Sequence, residues 1–561
     1  MNSRKWVCIE SGDMTRLPHE AIVSLAFRRG LIYKNGEIEF PAYEDAFLNP
    51  DDIPDFRASI ERIILAKEKN ERVAIFGDYD VDGVTSTAIL TEAFEKIGIT
   101  VEVFLPHREE DGYGLNIASV EKIIKSADLL VTIDNGSSAN QAIDFAVENG
   151  LEVLVIDHHV VPEILPKALI VNPHRIDSKY SFPDLCAAGL AFKFARSLLE
   201  QFDREDEAKW LLDLVALGTI ADRVPMKGEN RHIVIFGLKV LAVTRRLGLI
   251  ALMARSGIFK NNIDAENMAF KIIPRLNAAG RMQHADLACA LIRTKDHIEA
   301  EKITLELDTL NNNRRTITSK ALKEIKEKLN TIKHRPRVIF MAGNWPIGIL
   351  GILAGKLVDE YGCPAAVVCV GEKESTGSIR GDGLVDIMEI FSGIKSSLTK
   401  FGGHFTAGGF SFLTKNLTQL SNYFDQLDFE TKDKMIVYDL EIDSSIVNLD
   451  FVQSLKCLEP HGEGNSKPIF LIKNLEIREM RDMGSLKEHK RYIFHHPNFE
   501  NGEVAGVAFN WKKDINFSLG QKTDVLCELK LNEFRGNTTI NIMLIDMRAS
   551  SQSRGTNGVM A

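Results

Sequence analysis

The chain is organised around the segment Gly77-Asp78-Tyr79-Asp80-Val81-Asp82-Gly83, which carries three alternating carboxylates. The apolar run 73–76 precedes it and predicts a buried strand, while the amphipathic run 84–90 follows it and predicts the start of a helix. Three carboxylates therefore lie at the carboxyl end of a strand, where open α/β sheets bind ligands. Buried together they would repel one another, and a divalent cation would offset that repulsion. Taken alone, the stretch also fits an acidic turn on the surface.

Three more predicted strands follow, at 101–105, 129–133 and 153–156, with helical segments between them. The second of these strands ends at Asp134-Asn135-Gly136, and the third ends at Asp157-His158-His159. Alternating strands and helices predict a doubly wound parallel sheet, so the fold class is α/β. Because the carboxyl ends of parallel strands share one edge, we expect these acids and histidines to lie close together.

The pattern changes several times along the chain. The stretch 296–330 is charged and contains no Pro or Gly, which predicts a long connector helix. Five short strands in the last hundred residues predict a barrel of the OB type. We expect six segments: an N-terminal lead-in (1–68), a catalytic α/β domain (69–232), a helical region with the connector helix (233–334), a second, smaller α/β lobe (335–430), a C-terminal OB-like β-barrel (436–548) and a disordered polar tail (549–561).

Composition places the chain among ordinary multidomain globular proteins. It has 561 residues, too many for one core, and 45% of them are hydrophobic. No apolar run approaches the roughly 18 residues of a membrane helix, and the first residues lack a signal-peptide core. The seven cysteines are scattered and form no CxxC pair, which indicates a reducing cytoplasm and argues against a thiolate zinc site.

The net charge of the chain does not by itself show whether it binds nucleic acid. The net charge of −10 argues against a nucleic-acid binder, but an acidic metal site distorts that measure. Between 314 and 337 the chain carries nine Lys and Arg against two acids. That segment fits a face that contacts phosphates and equally fits a solvated helix surface.

The side chains at the strand ends form a set with a definite metal preference. The candidate ligands are Asp78, Asp80, Asp82, Asp134, His158, His159 and Asp222. Carboxylates dominate and thiolates are missing from the set, which favours Mn²⁺ or Mg²⁺ over structural zinc. Seven donors exceed the need of one ion, so we expect two ions roughly 3.5–4 Å apart. Such a pair hydrolyses phosphodiesters or phosphoanhydrides. Adjacent residues at a strand end point apart, so we assign His158 as a ligand and His159 to the substrate phosphate or the outer sphere.

Four motifs, in order, carry a family resemblance: Asp78 to Gly83, Asp134 to Gly136, Asp157 to His159, and Gly218-Thr219-Ile220-Ala221-Asp222. They resemble the motifs of the DHH phosphoesterase superfamily. Three further segments resemble its family of single-strand-specific exonucleases: Pro274 to Met282, Gly402 to His404, and Leu458 to Asn465 ahead of the barrel. The resemblance covers roughly residues 60 to 548.

The resemblance implies a Mn²⁺- or Mg²⁺-dependent exonuclease that removes 5′-mononucleotides from single-stranded DNA, 5′→3′, in recombination and repair. It implies that the metals are held by Asp78, Asp80, Asp82, Asp134, His158 and Asp222. The implied catalytic set is Asp80, Asp82, Asp134, His158, His159 and Asp222, with His159 orienting the scissile phosphate. The expected phosphate and DNA contacts are Arg281, His404, Gly403, Asn277 and Arg275. Arg108, Ser378 and Arg380 are candidates for a pocket at the 5′ end, and Tyr113 is a candidate platform for a base or a packing residue.

The chain departs from the family pattern at Pro346, where the family has a histidine, and at His461 and Glu463. These departures concern second-lobe contacts and not the metal set. Partners implied by the resemblance are single-stranded DNA, a helicase and single-strand-binding protein, with no membrane. Two alternatives stay open: a DHH phosphodiesterase acting on short oligonucleotides, cyclic dinucleotides or pyrophosphate, and a non-catalytic DNA-binding scaffold.

Overall fold

A computed structural model of the chain describes residues 5–9, 14–34, 37–107, 114–331, 337–427, 435–484, 487–509, 511, 517–534 and 536–550. The chain forms two compact units, Tyr43–Lys432 and Met1–Ala42 together with Asp433–Ala561. The expected lead-in of residues 1–68 is therefore divided between the two units. The expected disordered tail begins inside a strand that ends at Ala549, and residues 551–561 lie outside the described part of the chain.

The larger unit begins with a five-stranded sheet in which every pairing is parallel. In spatial order its strands are Val101–Phe104, Val73–Phe76, Leu129–Ile133, Glu152–Ile156 and Leu169–Val171. The prediction of a doubly wound parallel sheet is confirmed, and the last of these strands was not predicted. Strand order reverses between Val73–Phe76 and Leu129–Ile133, and such a switch point opens a crevice at the carboxyl edge.

Side chains along each strand point alternately to the two faces of this sheet, and both faces are buried. In strand Val73–Phe76, Val73 and Ile75 belong to one core and Ala74 and Phe76 to another. The first core also contains helices Phe56–Lys69, Val81–Lys96, Ala187–Glu200 and Leu212–Asp222, and the second contains Ile117–Ile123 and Asn140–Glu148. Helices on both faces leave the carboxyl edge of the strands as the open side.

A mostly helical stretch follows, and it begins before residue 233, the expected start of the helical region. Its helices are Glu205–Ala208, Leu212–Asp222, Gly228–Leu241, Leu247–Arg255, Ala265–Asn267, Ile273–Met282, Asp286–Arg293 and His297–Asn330. The last is the expected connector helix, 34 residues long. Its start is set by Asp296, whose carboxylate accepts hydrogen bonds from the amides of Ile298 and Glu299.

The second lobe of this unit has its own five-stranded mixed sheet. In spatial order its strands are Lys400–His404, Ala407–Leu413, Glu374–Arg380, Ala365–Cys369 and Ile339–Gly343. Helix Leu350–Tyr361 packs on one side, and helices Ile387–Ile394 and Leu417–Gln426 pack on the other. This is the smaller α/β lobe that the sequence predicts.

The other unit contains a closed five-stranded barrel. Strands Phe470–Met483, His489–His495, Glu503–Ala508, Asn537–Ala549 and Lys522–Phe534 pair in that order, and the last pairs back to the first. The third and fourth pair in parallel and the other pairs are antiparallel. The expectation of an OB-like barrel is confirmed. Strand Leu440–Glu441 and helix Leu449–Ser454 precede it.

The first residues of the chain belong to this barrel unit. Strand Trp6–Cys8 pairs in parallel with Ile436–Tyr438, and Ala21, Ile22 and Leu25 of helix Pro18–Arg28 share a core with the barrel. A short hairpin, Tyr33–Lys34 with Glu37–Ile38, follows the helix. Burial of this apolar helix face explains why the lead-in does not stand alone. Among the described residues, no helix has both the length and the apolar character needed to cross a membrane.

Candidate metal centre and nucleic-acid site

The loop after strand Val73–Phe76 is held by hydrogen bonds that its own carboxylates accept. Asp80 is the N-cap of helix Val81–Lys96 and accepts from the amides of Asp82 and Gly83 at 2.9 and 3.1 Å. Asp82, 1% exposed, accepts from the amides of Ala187 and Ala188 at 2.8 Å each. Those amides begin helix Ala187–Glu200, whose N-terminal dipole stabilises the carboxylate.

The second group of side chains follows the next two strands. Asp134 is buried in the left-handed backbone region, with φ of 64°, directly after strand Leu129–Ile133. His158 Nε2 lies 3.1 Å from Asp134 Oδ1 and 3.9 Å from Asp82 Oδ2, and His158 Nδ1 lies 3.8 Å from Asp222 Oδ2. His158 therefore connects carboxylates from three parts of the chain.

These side chains form three overlapping clusters, within each of which the potential ligand atoms lie within 4.8 Å of one another. The clusters are Asp78, Asp80 and Asp134; Asp82, His158 and Asp222; and Asp134, His158 and His159. Asp134 and His158 each belong to two clusters. All seven candidate ligands from the sequence are thus brought to one edge of the sheet.

The electrostatics of the centre are those of crowded, buried acids. Burial, and then the negative charge of neighbouring aspartates, raises the pKa of Asp82 and of Asp134 well above the usual range. The same causes raise the pKa of Asp222 to about 6. Burial and the adjacent His159 lower the pKa of His158 to about 3, so its imidazole is neutral, as a ligand must be.

The residues present fit a divalent cation of the Mn²⁺ or Mg²⁺ class. Oxygen donors dominate all three clusters taken together, and no cysteine belongs to any of them. The mutual repulsion that raises the carboxyl pKa values is the repulsion that cations would remove. Two clusters that share a carboxylate provide room for two ions.

Asp157 organises the histidine pair. Although burial alone would raise the pKa of Asp157, its hydrogen bond and charge interaction with His159 hold it well below the usual range. The carboxylate accepts from the Ser137 amide at 3.0 Å, from the His158 amide at 2.8 Å and from His159 Nδ1 at 2.8 Å. In return Asp157 outweighs the effect of burial and raises the pKa of His159 to about 9, so that imidazole is a cation. The site residues predicted from the sequence omitted Asp157, although its position directly before the two histidines was a signal.

Gly218 lies where three elements of the centre meet. A Cβ on Gly218 would stand 2.5 Å from Ala188 Cβ, 2.7 Å from Asp82 Oδ1 and 2.7 Å from Thr85 Oγ1. Helix Leu212–Asp222 therefore approaches the other two helices closely only because residue 218 has no side chain. Asp222 comes one turn later on the same helix.

The second lobe brings His404 towards the histidine pair. His404 ends an exposed edge strand, and burial, then the charges of Arg380 and His159, lower the pKa of its imidazole. Arg380 Nη1 donates to Ser378 Oγ at 3.0 Å. Gly403 has φ of +152°, and a Cβ there would stand 2.3 Å from the carbonyl oxygen of Ala407. His404, Gly403, Arg380 and Ser378 thus lie at one corner of the second-lobe sheet.

Three other residues that were predicted to contact DNA form hydrogen bonds within the protein. Arg275 Nε donates to Asp308 Oδ1 at 2.9 Å, which ties helix Ile273–Met282 to the connector helix. Asn277 Oδ1 accepts from the amide of Val81 at 3.2 Å, and Arg281 Nη1 donates to the Gly348 carbonyl at 3.2 Å. Helix Ile273–Met282 thereby reaches both the acidic loop and the second lobe. Arg108 and Tyr113 lie outside the described residues.

The residues that depart from the family pattern lie in two places in the structure. Pro346 precedes a short 3-10 turn at Ile347–Ile349, and the neighbouring Trp345 donates its Nε1–H to Glu324 at 3.0 Å. His461 lies in the barrel unit, with Nδ1 3.3 Å from the carbonyl oxygen of Asn465. None of these contacts involves a candidate metal ligand.

Comparison with known proteins agrees with this geometry. Residues 72–219 match the DHH family, N-terminal domain, and residues 438–546 match the RecJ OB domain. The chain is 32% identical to the single-stranded-DNA-specific exonuclease RecJ of Haemophilus influenzae, over 89% of this chain and 91% of that protein. It is also 32% identical to the RecJ of Bacillus subtilis, over 94% of this chain and 68% of that protein. The crystal structure of RecJ from Thermus thermophilus in complex with Mn²⁺ superposes with a TM-score of 0.83 at 26% identity, covering 98% of this chain and 80% of that one.

Proposed function

The chain belongs to the RecJ family of single-stranded-DNA-specific exonucleases, and we propose that it removes 5′-mononucleotides from single-stranded DNA in the 5′→3′ direction. It is a metal-dependent nuclease with a DHH catalytic domain and an OB domain. The observation that supports its hydrolytic chemistry is the clustering of seven aspartate and histidine side chains, from separate strand and helix ends, around Asp134 and His158.

The residues that would hold the metals are Asp78, Asp80, Asp82, Asp134, His158 and Asp222. Bound divalent cations supply Lewis acidity and charge neutralisation at the scissile phosphate. The chain contributes the fixed positions: Asp80 and Asp82 are held by backbone amides, and His158 is held between Asp134 and Asp222. Ligands that are already held in place lose little further entropy when ions and substrate bind.

We assign His159 to the orientation of the scissile phosphate. Its Nδ1 is held by Asp157, and its side chain is 47% exposed, so the ring faces the open edge of the sheet. His404 belongs to the second lobe, and the charge of His159 contributes to lowering the pKa of its imidazole. Imidazole N–H groups on both sides suit a phosphate oxyanion between them. Asn277 accepts a hydrogen bond from the acidic loop at Val81, and Arg281 donates one to the second lobe at Gly348. These two bonds connect the metal centre to the second lobe.

The 5′ polarity requires a pocket that stops the chain end. Arg380 and Ser378 are hydrogen-bonded to each other beside Gly351, where a Cβ would stand 2.8 Å from Arg380 Nη2. Gly351 belongs to the first turn of helix Leu350–Tyr361, so helix amides and a guanidinium converge there. We propose that this corner binds a terminal 5′-phosphate. Arg108 and Tyr113 remain candidates for the same pocket.

The barrel is proposed to bind single-stranded DNA by stacking and charge, as OB folds do. A helicase and single-strand-binding protein are the partners we infer from the family. We infer the cytoplasm as the place of action, since the proposed substrate is DNA and none of the seven cysteines forms a disulfide.

The test is a time course on two single-stranded oligonucleotides, one labelled at the 5′ end and one at the 3′ end, with Mn²⁺ or with chelator. We expect immediate release of a labelled mononucleotide from the first strand and a descending ladder from the second, both abolished by chelator. The reverse pattern would overturn the polarity and the 5′ pocket. Cleavage that persists in chelator would overturn the role of the metal centre.

Two matched variants separate chemistry from binding. Asp134→Asn removes a carboxylate shared by two clusters and should abolish hydrolysis, while binding of the oligonucleotide in chelator stays within about twofold. Asp144→Asn is the control, because Asp144 lies on helix Asn140–Glu148 and pairs only loosely with Lys167 at 3.5 Å. If both variants keep wild-type activity, the chain is not a nuclease that uses this centre.

A further inference from the structure

Asn172 is a buried polar residue beside the metal centre and is not a member of the three clusters. It directly follows strand Leu169–Val171, the strand of the parallel sheet that the sequence did not predict. Its exposed fraction is 0%, so its carboxamide has no contact with bulk water. A buried carboxamide must find hydrogen-bond partners within the protein, and those partners indicate what the residue does.

The amide nitrogen of Asn172 donates to two groups that lie beside the histidine pair. Nδ2 donates to the carbonyl oxygen of His159 at 2.9 Å and to Ser137 Oγ at 3.0 Å. Oδ1 accepts from the amide of His174 at 2.8 Å. An asparagine side chain has two N–H donors and one acceptor oxygen, which matches these three partners, whereas a carboxylate would offer acceptors only.

These bonds complete a hydrogen-bonded ring of four residues. Ser137 donates its amide to Asp157 Oδ2 at 3.0 Å, and Asp157 Oδ1 accepts from the amide and Nδ1 of His159 at 3.2 and 2.8 Å. Asn172 closes the ring between the His159 carbonyl and the Ser137 hydroxyl. Three neighbouring strands of the parallel sheet lead into its members. His159 is thereby held at its backbone amide, its backbone carbonyl and its imidazole.

The loop that carries Asn172 is itself anchored. The carbonyl of Asn172 accepts from the amide of Arg175 at 3.3 Å. The Arg175 guanidinium donates to the Asp55 carboxylate at 2.5 Å and to the Ile170 carbonyl at 2.8 Å. The Ile170 amide donates to the same carboxylate at 3.0 Å. Because Asn172 is fixed in this way, it can in turn fix the position of His159.

We propose that Asn172 is a positioning residue for the hydrolytic step and that it acts through His159. The inference rests on the proposed function, in which His159 orients the scissile phosphate. Asp157 holds the imidazole and the backbone amide of His159, and Asn172 holds its backbone carbonyl. Together these bonds set the direction in which the imidazole leaves the sheet. A displacement of about 1 Å in a catalytic group costs about 10²-fold in rate, so a partial loss of this restraint is measurable.

The first experiment compares kcat and KM of Asn172→Ala with those of wild type, on a single-stranded oligonucleotide in saturating Mn²⁺. We expect kcat to fall roughly 10-fold and KM to change less than twofold, because His159 acts on the scissile phosphate and not on the remaining DNA. Ile170→Val is the matched control, since it removes one methylene from a buried residue of the same strand and leaves the hydrogen-bonded ring intact. The control should lower the urea midpoint to a similar extent and keep wild-type kcat.

The second experiment tests whether Asn172 acts through His159. The kcat of the double variant Asn172→Ala with His159→Ala is compared with that of His159→Ala alone. We expect the two values to agree within about twofold, because a residue that only positions an imidazole has no effect once the imidazole is removed. A further loss of roughly 10-fold in the double variant would show that Asn172 acts elsewhere and would overturn the proposal.

Ser137→Ala gives a second test that does not depend on the folding of Asn172→Ala. It removes the hydroxyl that accepts from Asn172 and keeps the amide that binds Asp157. We expect kcat to fall roughly threefold in this variant, the effect of one weakened hydrogen bond. In the His159→Ala background the same change should have no effect on kcat.

Wild-type kcat in both Asn172→Ala and Ser137→Ala would overturn the positioning role, and so would an equal loss of kcat in Ile170→Val. Wild-type kcat in His159→Ala would overturn it together with the role of His159. These results are distinct from a failure of the proposed function, because wild-type protein that cleaves neither labelled strand would refute the exonuclease assignment itself.

Discussion

Replacing Gly218 by alanine tests how closely the metal centre depends on packing. The new Cβ would stand 2.5 Å from Ala188 Cβ and 2.7 Å from Asp82 Oδ1. Carbon atoms in ordinary contact are about 3.5–4.0 Å apart, so the helices must separate by about 1 Å. Asp82 and Asp222 lie on two of the separating helices and would move apart with them.

The size of the effect follows from two opposing contributions. Gly→Ala within a helix stabilises by about 1 kcal/mol through helix propensity. Overpacking against rigid neighbours destabilises by roughly 1–3 kcal/mol, and here three neighbours are affected at once. With the overpacking cost at the upper end of that range, the net destabilisation is roughly 2 kcal/mol. A displacement of about 1 Å in a catalytic group costs about 10²-fold in rate.

The assay combines urea unfolding, Mn²⁺ titration of activity, and kcat on a single-stranded oligonucleotide. The matched control is Gly355→Ala, also within a helix, where a Cβ would have no atom within 4 Å. The control should be stabilised by about 1 kcal/mol and keep full activity. Gly218→Ala should lose about 10²-fold in kcat and need roughly 10- to 100-fold more Mn²⁺. Equal stability and activity in the two variants would refute the packing argument.

Three other predictions follow from the contacts. Lys193→Met should destabilise the larger unit by roughly 3–5 kcal/mol in urea unfolding, because it leaves the carboxylate of Glu229 buried without the ammonium 2.7 Å away; an unchanged midpoint would mean that this buried ion pair does not stabilise the fold. Trp6→Ala should lower the thermal midpoint of the barrel unit, since Trp6 donates to Asp546 at 2.9 Å and stacks under Arg548; a change confined to the other unit would contradict this. Mn²⁺ should raise the thermal midpoint of wild type and leave that of Asp134→Asn almost unchanged, and equal shifts in both would place the ion elsewhere.

Much of the metal centre could be predicted because its signals are local. Each of its strands is a short apolar run that ends on an acid, and parallel strands bring such ends to one edge. The barrel was predictable for the same reason, since five short strands with turns between them have few alternative architectures. The strands of the parallel sheet differ from expectation by about one residue at their ends. The expectation of short barrel strands was wrong for three of the five, which have 13 or 14 residues, because pairing with neighbours decides how far a strand extends.

Contacts between residues distant in sequence were not predictable in the same way. Arg275 matched a family motif for DNA contact, yet its guanidinium donates to Asp308, which the sequence places 33 residues away. The N-terminal strand at Trp6–Cys8 pairs with Ile436–Tyr438, at the far end of the chain. Local hydrophobic periodicity identifies neither partner. A side chain or strand can form the same hydrogen bonds and apolar contacts with any suitable segment that the fold brings next to it.

The class of chemistry could be read from local patterns, because hydrophobic period and helix capping act over a few residues and mark which residue types stand at the ends of the strands. The roles of those side chains depend on contacts between segments that are distant in sequence. In the folded chain His158 lies between Asp134 and Asp222, and the carboxylate of Asp157 holds His159 by a hydrogen bond. The charge and proton affinity of a buried group depend on neighbours within a few ångströms, and close packing of distant segments supplies those neighbours.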